Sequence, residues 1–464
     1  MKPDLGEACW ADEVFGETRL GDPRRTGRLV EMAAAAARNP AGQVTQVFET
    51  SAAREGAFRL LENDAVRSAA VATSVFAATA RNCVGQRVVF VAIDATTLTL
   101  VDRKKIRDLG RVGPRYPSRG LHVMSALAVN DEGGTIGLLE QRWWARTQKK
   151  RAKKLKCFDK SYLKTEARYW HEAISLSEEG LRKHAPQVRA WYQLDRGADS
   201  WPLLELALAQ KLLVTVRSCH ERRLLNEDGS KGYLRPTVRK QRILGHYSLN
   251  IPARPNRPAR IARIAVRACP VVIHAHVHNG KRRGFAVNAV CAEEVDYRGK
   301  DRIRWILLTT APTHTFQQAR AVVAGYSMRW RIEDFHRAWK RGLCKVEDSL
   351  LQSRGAIVKW ATILAAVAAR ALRLAKLIRT TPEIPASEEF TEYEIDAAFI
   401  LVKKKRDRRR NYSVADVIGV IADIGGFANK YSRLYPFPGP TILGRGLERV
   451  RILAMGLKNM AEMR

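Results

Sequence analysis

The stretch Tyr326–Lys340 (YSMRWRIEDFHRAWK) spaces four different polar groups along one line. On a helix, at about 100° per residue, Tyr326, Arg329, Glu333 and Lys340 fall at about 0°, 300°, 340° and 320° around the axis, with Trp330 bordering them. An acid set among Arg, Tyr and Lys suits a site that handles metal and phosphate, although a solvated helix face reads the same on spacing alone. Ile332, Phe335 and Trp339 give this helix an apolar face, so it packs. Two further acids end apolar runs: Asp94 follows Arg87–Ile93 (RVVFVAI) and Asp195 follows Val188–Leu194 (VRAWYQL). Phosphoryl transfer on DNA uses two magnesium ions about 3.5–4 Å apart. Magnesium takes carboxylate oxygens in an octahedral shell. Three acids converging from separate elements supply such a site. A lone Asp at a strand end is usually a cap or turn residue, but the set of three points to a metal-dependent nuclease or strand transferase.

Composition names the partner. The 464 residues carry 81 Lys+Arg against 47 Asp+Glu, a formal net charge of +34. Such an excess calls for a polyanion, most simply nucleic acid. An anionic membrane fits less well. The start MKPDLGEACW lacks a basic-then-apolar order, and the longest apolar run, Trp360–Ala369, is too short to span a bilayer and reads as a buried helix. The seven cysteines are scattered with no C-x-x-C pair, so neither disulfides nor a zinc site is expected, and the expected compartment is a reducing cytoplasm.

The elements that must position the acids follow in order. Residues 1–85 read as helical, one helix opening at Asp22-Pro23. Arg24, Arg25, Arg28, Arg54 and Arg59 decorate this region, either as DNA contacts or as ordinary solvated arginines. Residues 86–380 read as an α/β core: strands at Arg87–Ile93 and Thr96–Val101, a hairpin of Leu121–Val129 with Thr135–Arg146, the Asp195 strand, and Leu212–Val216 ending at Arg217. A β-rich insertion without a clear helix occupies about 218–304, and Trp305–Thr309 returns to the core before a helix over about 316–341. Residues 381–464 read as a helical C-terminal domain. Two basic runs stand out, Gln148–Lys156 and Lys403–Arg410. Alternating strands and helices with an acid at two strand ends predict an α/β fold with an RNase H-like catalytic core, flanked by all-α domains.

Here the sequence resembles the bacterial insertion-sequence transposases with an Asp-Asp-Glu triad, and within them the insertion-sequence-four family. Its hallmark is Tyr, two residues, Arg, three residues, Glu, six residues, Lys, matched by Tyr326, Arg329, Glu333 and Lys340. LGDPRRTGRLV (20–30), VAIDATTL (91–98), SRG (118–120), DRGAD (195–199), VRS (216–218), NRPAR (256–260) and WILLT (305–309) extend the similarity; beyond about 385 it is loose. The resemblance implies cut-and-paste transposition. Asp94, Asp195 and Glu333 would be catalytic and hold two Mg2+ ions, with Mn2+ as a substitute. Tyr326, Arg329, Lys340 and Arg217 would grip phosphates of the transposon end, and Trp305 and Trp330 would hold a flipped base. The helical N-terminal domain, with Arg24, Arg25 and Arg28, would read the double-stranded end sequence. The C-terminal domain would hold a homodimer in the synaptic complex, which also engages target DNA. The family pattern often has an acid where this chain has Gly197. The rivals are an RNase H-like nuclease, which would not need the Tyr-Arg-Glu-Lys spacing, and a non-catalytic DNA-binding derivative, which would be expected to lose an acid.

Overall fold

The computed structural model describes residues 5–102, 108–113, 118–146, 165–225, 230–251, 258–276, 282–380, 383, 385–427 and 440–462. The basic run Gln148–Lys156 lies outside the described residues. The chain opens with helices α1 (Leu5–Phe15), α2 (Pro23–Arg38), α3 (Val44–Val47), α4 (Ser51–Glu62) and α5 (Ser68–Asn82). Asp22 caps α2, its carboxylate accepting the Arg24 N–H at 2.9 Å, and Pro23 fills the first turn, where no N–H is needed.

Strands and helices then alternate: β1 (Val88–Leu100), β2 (Gly110–Arg111), β3 (Arg119–Val129), β4 (Thr135–Trp144), α6 (Arg168–His184), β5 (Arg189–Leu194), α7 (Trp201–Ala209) and β6 (Leu213–Arg217). The insertion adds β7 (Arg223–Leu225), β8 (Lys231–Tyr233), a short helix α8 (Leu234–Arg239), β9 (Gly245–Ile251), β10 (Arg260–His276) and β11 (Arg282–Glu294), and β12 (Arg304–Thr309) follows. Among the described residues these strands form one mixed sheet in the order β2-β3-β1-β5-β6-β12-β11-β10-β7-β8, with β4 beside β3 and β9 beside β10. β1 runs antiparallel to β3 and parallel to β5, and β5 parallel to β6.

Two strands are longer than the sequence suggests. Arg87–Ile93 and Thr96–Val101 belong to one strand, because β3 pairs with β1 without a break from Phe90↔Val129 to Leu100↔Arg119. β10 runs straight through Pro270, which faces Asn288 on β11. On its other edge β9 pairs only as far as Val266, and β7 meets it at Ile273. A residue without an N–H is tolerated in that gap.

The remainder is helical: α9 (Phe316–Met328), α10 (Trp330–Lys340), α11 (Arg354–Thr380), α12 (Glu392–Leu401), α13 (Val414–Ile424) and α14 (Pro440–Glu462). The helix expected over 316–341 is divided at Arg329. There the Arg329 N–H reaches Tyr326 O and the Ile332 N–H reaches Arg329 O, both at 3.1 Å, the tighter i to i+3 pattern. α11 is the central helix. Its Arg354–Lys376 stretch is long and apolar enough to cross a membrane by composition, yet 89% of its most apolar window is buried inside the fold. Trp360, Ile363, Leu364 and Val367 share one core with Leu29 and Met32 of α2, Leu60 and Leu61 of α4, and Ile332, Phe335 and Trp339 of α10. A separate core joins Ile395 and Phe399 of α12, Val417 and Ile421 of α13, and Val450 of α14. Part of the second basic run serves this unit: Arg406 lies 2.8 Å from both Glu392 and Asp396, and Arg410 3.2 Å from Asp416.

Candidate active site

β5 stops at Leu194, which pairs with Ile93, while β1 continues to Leu100. Past Ile93, that edge of β1 is therefore left without a partner strand among the described residues. The parallel register sets Asp94 and Asp195 side by side where that edge opens, on strands about 4.8 Å apart. Asp195 turns the chain, its Oδ1 accepting the Gly197 N–H at 2.7 Å. An added Cβ at Gly197 would stand 3.1 Å from that same oxygen, so glycine leaves this carboxylate uncrowded. Glu333 arrives on α10, whose Trp339 packs edge-on against Trp143 of β4 and donates its indole N–H to Ala361 O of α11 at 3.0 Å. The three acids named by the sequence thus come together in space.

Their charges show it. Burial, then repulsion from Asp195 and Glu333, push the Asp94 carboxyl up to about 6 against the pull of Arg329. Arg329 is the cation that answers them: Nη1 lies 3.0 Å from Asp94 Oδ2, and Nη2 lies 2.8 Å from Glu333 Oε1. Only 11% of its side chain is exposed. Hard oxygen donors that repel one another are the kind of ligands a divalent ion takes. By donor chemistry the three carboxylates could hold such an ion.

The other signature residues do not share one exposed stripe. Tyr326 is buried, with the Arg217 and Arg329 guanidiniums near its hydroxyl, and its ring meets Trp305 edge-on at 5.3 Å. Trp305 is partly buried against the core that holds Tyr326. Trp330 is the opposite, 47% exposed, with the Arg329 guanidinium 5.9 Å from its ring centroid. Arg217 ends β6, and burial pushes its guanidinium down. Lys340 extends to Thr96, two residues beyond Asp94 on β1, at 3.3 Å. In a strand that spacing keeps Thr96 on the same face as Asp94.

The N-terminal arginines divide. Arg24 is 93% exposed and free to meet a phosphate apart from a weak contact to Asp22. Arg25 donates to Leu20 O at 3.0 Å, and Arg28 lies 2.8 Å from Glu31.

Three residues near the site were not named as site residues from the sequence, although Thr96 and Asp199 lie inside the VAIDATTL and DRGAD stretches; Glu347 lies in none of those stretches. Thr96 and Glu347 frame Lys340. Asp199 fixes the loop after β6 to the turn after Asp195: its carboxylate accepts the Cys219 N–H at 2.8 Å and the Arg222 guanidinium at 2.6 Å. The sulfur of Cys219 and a ring nitrogen of His220 also approach this carboxylate, all within 4.8 Å, but its oxygens are already engaged by Arg222 and backbone N–H groups.

Residues 7–66, which span most of α1 and all of α2 to α4, match the family model described as transposase DNA-binding. That match supports a DNA-processing transposase, with DNA as its partner.

Proposed function

We propose that the chain is a cut-and-paste transposase of the insertion-sequence-four type, with an RNase H-like core and an Asp94-Asp195-Glu333 triad. The observation that carries this reading is the convergence of the three acids on the open edge of β1. The antiparallel β4-β3-β1 strands followed by parallel β5 and β6 support the RNase H-like assignment. Asp94, Asp195 and Glu333 would hold two magnesium ions, or manganese in their place. When bound, the ions activate the attacking oxygen and stabilise the leaving one. Arg329, Arg217 and the Tyr326 hydroxyl would orient the scissile strand, and Lys340 its neighbouring phosphate. Water nicks one strand; the freed 3′-hydroxyl attacks the other strand to form a hairpin, which is opened before target joining. The decisive experiment incubates the purified protein with magnesium and DNA carrying the ends of its element. Hairpin ends on a denaturing gel are expected; nicked product that never becomes a hairpin would leave a simple nuclease.

A tight hairpin turn is relieved when a base leaves the stack, at a cost of a few kcal/mol. The exposed Trp330 indole can return about 1–3 kcal/mol by stacking on that base. Trp330→Ala is therefore expected to slow hairpin formation at least about tenfold relative to nicking, with little change in Tm and partial rescue by an abasic site near the end. Trp305, packed on Tyr326, is expected to lose Tm as well. Equal slowing of both steps by Trp330→Ala, with no rescue, would remove the stacking role.

Binding should be steeply salt-dependent, since each neutralised phosphate contributes about −0.9 to the slope of log K against log salt. A slope shallower than about −3 would contradict a DNA grip built from the +34 charge.

The C-terminal unit would hold the homodimer. Ile452 and Met460 of α14 expose 65% and 61% of their surface, an apolar face suited to a second copy. Each core would then cut the end that the other subunit reads. Mixing Glu333→Ala protein with protein defective in end recognition should restore some cutting, and no complementation at any ratio would exclude cutting in trans.

A further inference from the structure

The bare edge of β1 leaves backbone N–H groups beyond Ile93 without a strand partner among the described residues. Two are answered by carboxylates. Asp94 Oδ1 accepts the N–H of Ala95 at 2.8 Å, and Glu347 Oε1 accepts the N–H of Thr99 at 2.9 Å. Glu347 sits in a short turn, Val346–Asp348, that follows α10, and its side chain is only 8% exposed. The turn is held from behind. Lys345 adopts a left-handed conformation (φ 47°), and its carbonyl lies where a Cβ on Gly42 would sit, so only glycine allows this approach from the loop after α2. Trp360 donates to Gly42 O at 2.8 Å and fixes that loop in turn.

A buried carboxylate needs counter-charge. Glu347 has two: Arg341 Nε at 2.8 Å on Oε2, and Lys340 Nζ at 3.6 Å from Oε1. Lys340 also donates to Thr96 Oγ1 at 3.3 Å, and its side chain is one-fifth exposed (20%). The ammonium is thus held at one point, over the strand face that carries Asp94 and about 6.6 Å further along it. A free lysine would sample many rotamers there. One anchored by a hydroxyl and a carboxylate is pre-organised.

We propose that Glu347 is a positioning residue: it holds the Lys340 ammonium against Thr96, so that Lys340 engages the phosphate adjacent to the scissile one. This rests on the transposase reading above. Without the Glu347 charge, Lys340 loses its anchor and competes for Asp94 or for solvent, and the adjacent phosphate is no longer fixed.

The test pairs a protein change with a DNA change. Cleavage is measured under single-turnover conditions on the end duplex, and on the same duplex with a neutral methylphosphonate at the phosphate next to the scissile one. Wild type is expected to lose about tenfold on the neutral DNA, the loss of one charge-assisted contact. Glu347→Gln, which keeps an acceptor for the Thr99 N–H, is expected to be slow on native DNA and to lose less than about twofold more on the neutral DNA. Lys340→Met should behave alike, and Glu347→Asp should recover part of the sensitivity. Should Glu347→Gln fold poorly, Thr96→Val removes the other anchor and is expected to blunt the sensitivity in the same way. A Glu347→Gln enzyme that is slower overall yet keeps the full tenfold sensitivity would overturn the proposal and make Glu347 a packing residue. Wild type indifferent to the neutral phosphate would overturn it too, by removing the contact. Wild type without any magnesium-dependent cleavage would instead overturn the transposase reading.

Discussion

Asp94→Ala, Asp195→Ala and Glu333→Ala are each expected to reduce DNA cleavage by about a thousandfold or more, while DNA binding stays within a few-fold of wild type. The two effects part because carboxylates hold metal and repel phosphate. On the transposase reading, removing one would delete a metal ligand and leave the basic surface untouched. Binding measured in calcium or EDTA should be equal or slightly tighter, as one negative charge has left the cleft. Asp94→Asn is the cleanest variant, since it keeps an oxygen to accept the Ala95 N–H. Parallel loss of binding and cleavage in all three variants would mean that the acids only shape the fold, and the metal site would have to be sought elsewhere.

The acids were legible because each advertises itself locally. Arg87–Ile93 and Val188–Leu194 are apolar runs that end in Asp, and parallel pairing then brings the two ends together. Glu333 was legible from its neighbours Tyr326, Arg329 and Lys340 rather than from any strand. What the sequence did not disclose is how those neighbours divide. A uniform helix from 316 to 341 lays all four on one stripe, but the tight turn at Arg329 sends Tyr326 into the core against Trp305 and leaves Trp330 outside. A pair of i to i+3 bonds is below the resolution of periodicity. The second basic run was silent for a different reason. Lys403–Arg410 stands out in the sequence only as a basic run, whereas in the fold Arg406 is committed to Glu392 and Asp396 within the C-terminal unit. Pairing across a tertiary contact leaves no mark on a charge count. Glu347 was invisible on the same grounds, since its partners include a backbone N–H on a strand 248 residues earlier.

Arg329 leads to the second large effect. Its guanidinium lies between Asp94 and Glu333, where it neutralises two acids that would otherwise repel each other. On the transposase reading it would therefore stabilise the metal-free protein and compete with a bound metal. Arg329→Ala is expected to act in three separable ways. In EDTA it should destabilise the fold by about 2 kcal/mol, less than the full buried-pair figure because Glu333 is about one-third exposed (32%). Calcium should restore most of that loss, because a divalent ion takes over the role of the missing cation. Calorimetric titration without DNA should show calcium or manganese binding several-fold more tightly than in wild type, as the competitor is gone. Cleavage should nevertheless fall at least about a hundredfold, since the phosphate has lost its guanidinium. Arg329→Lys should sit between, keeping a charge without the fork that reaches both acids. The account fails if Arg329→Ala binds calcium more weakly than wild type, or if calcium leaves its lowered Tm unchanged. Either result would mean that the arginine shapes the carboxylate cluster for metal rather than standing in for it.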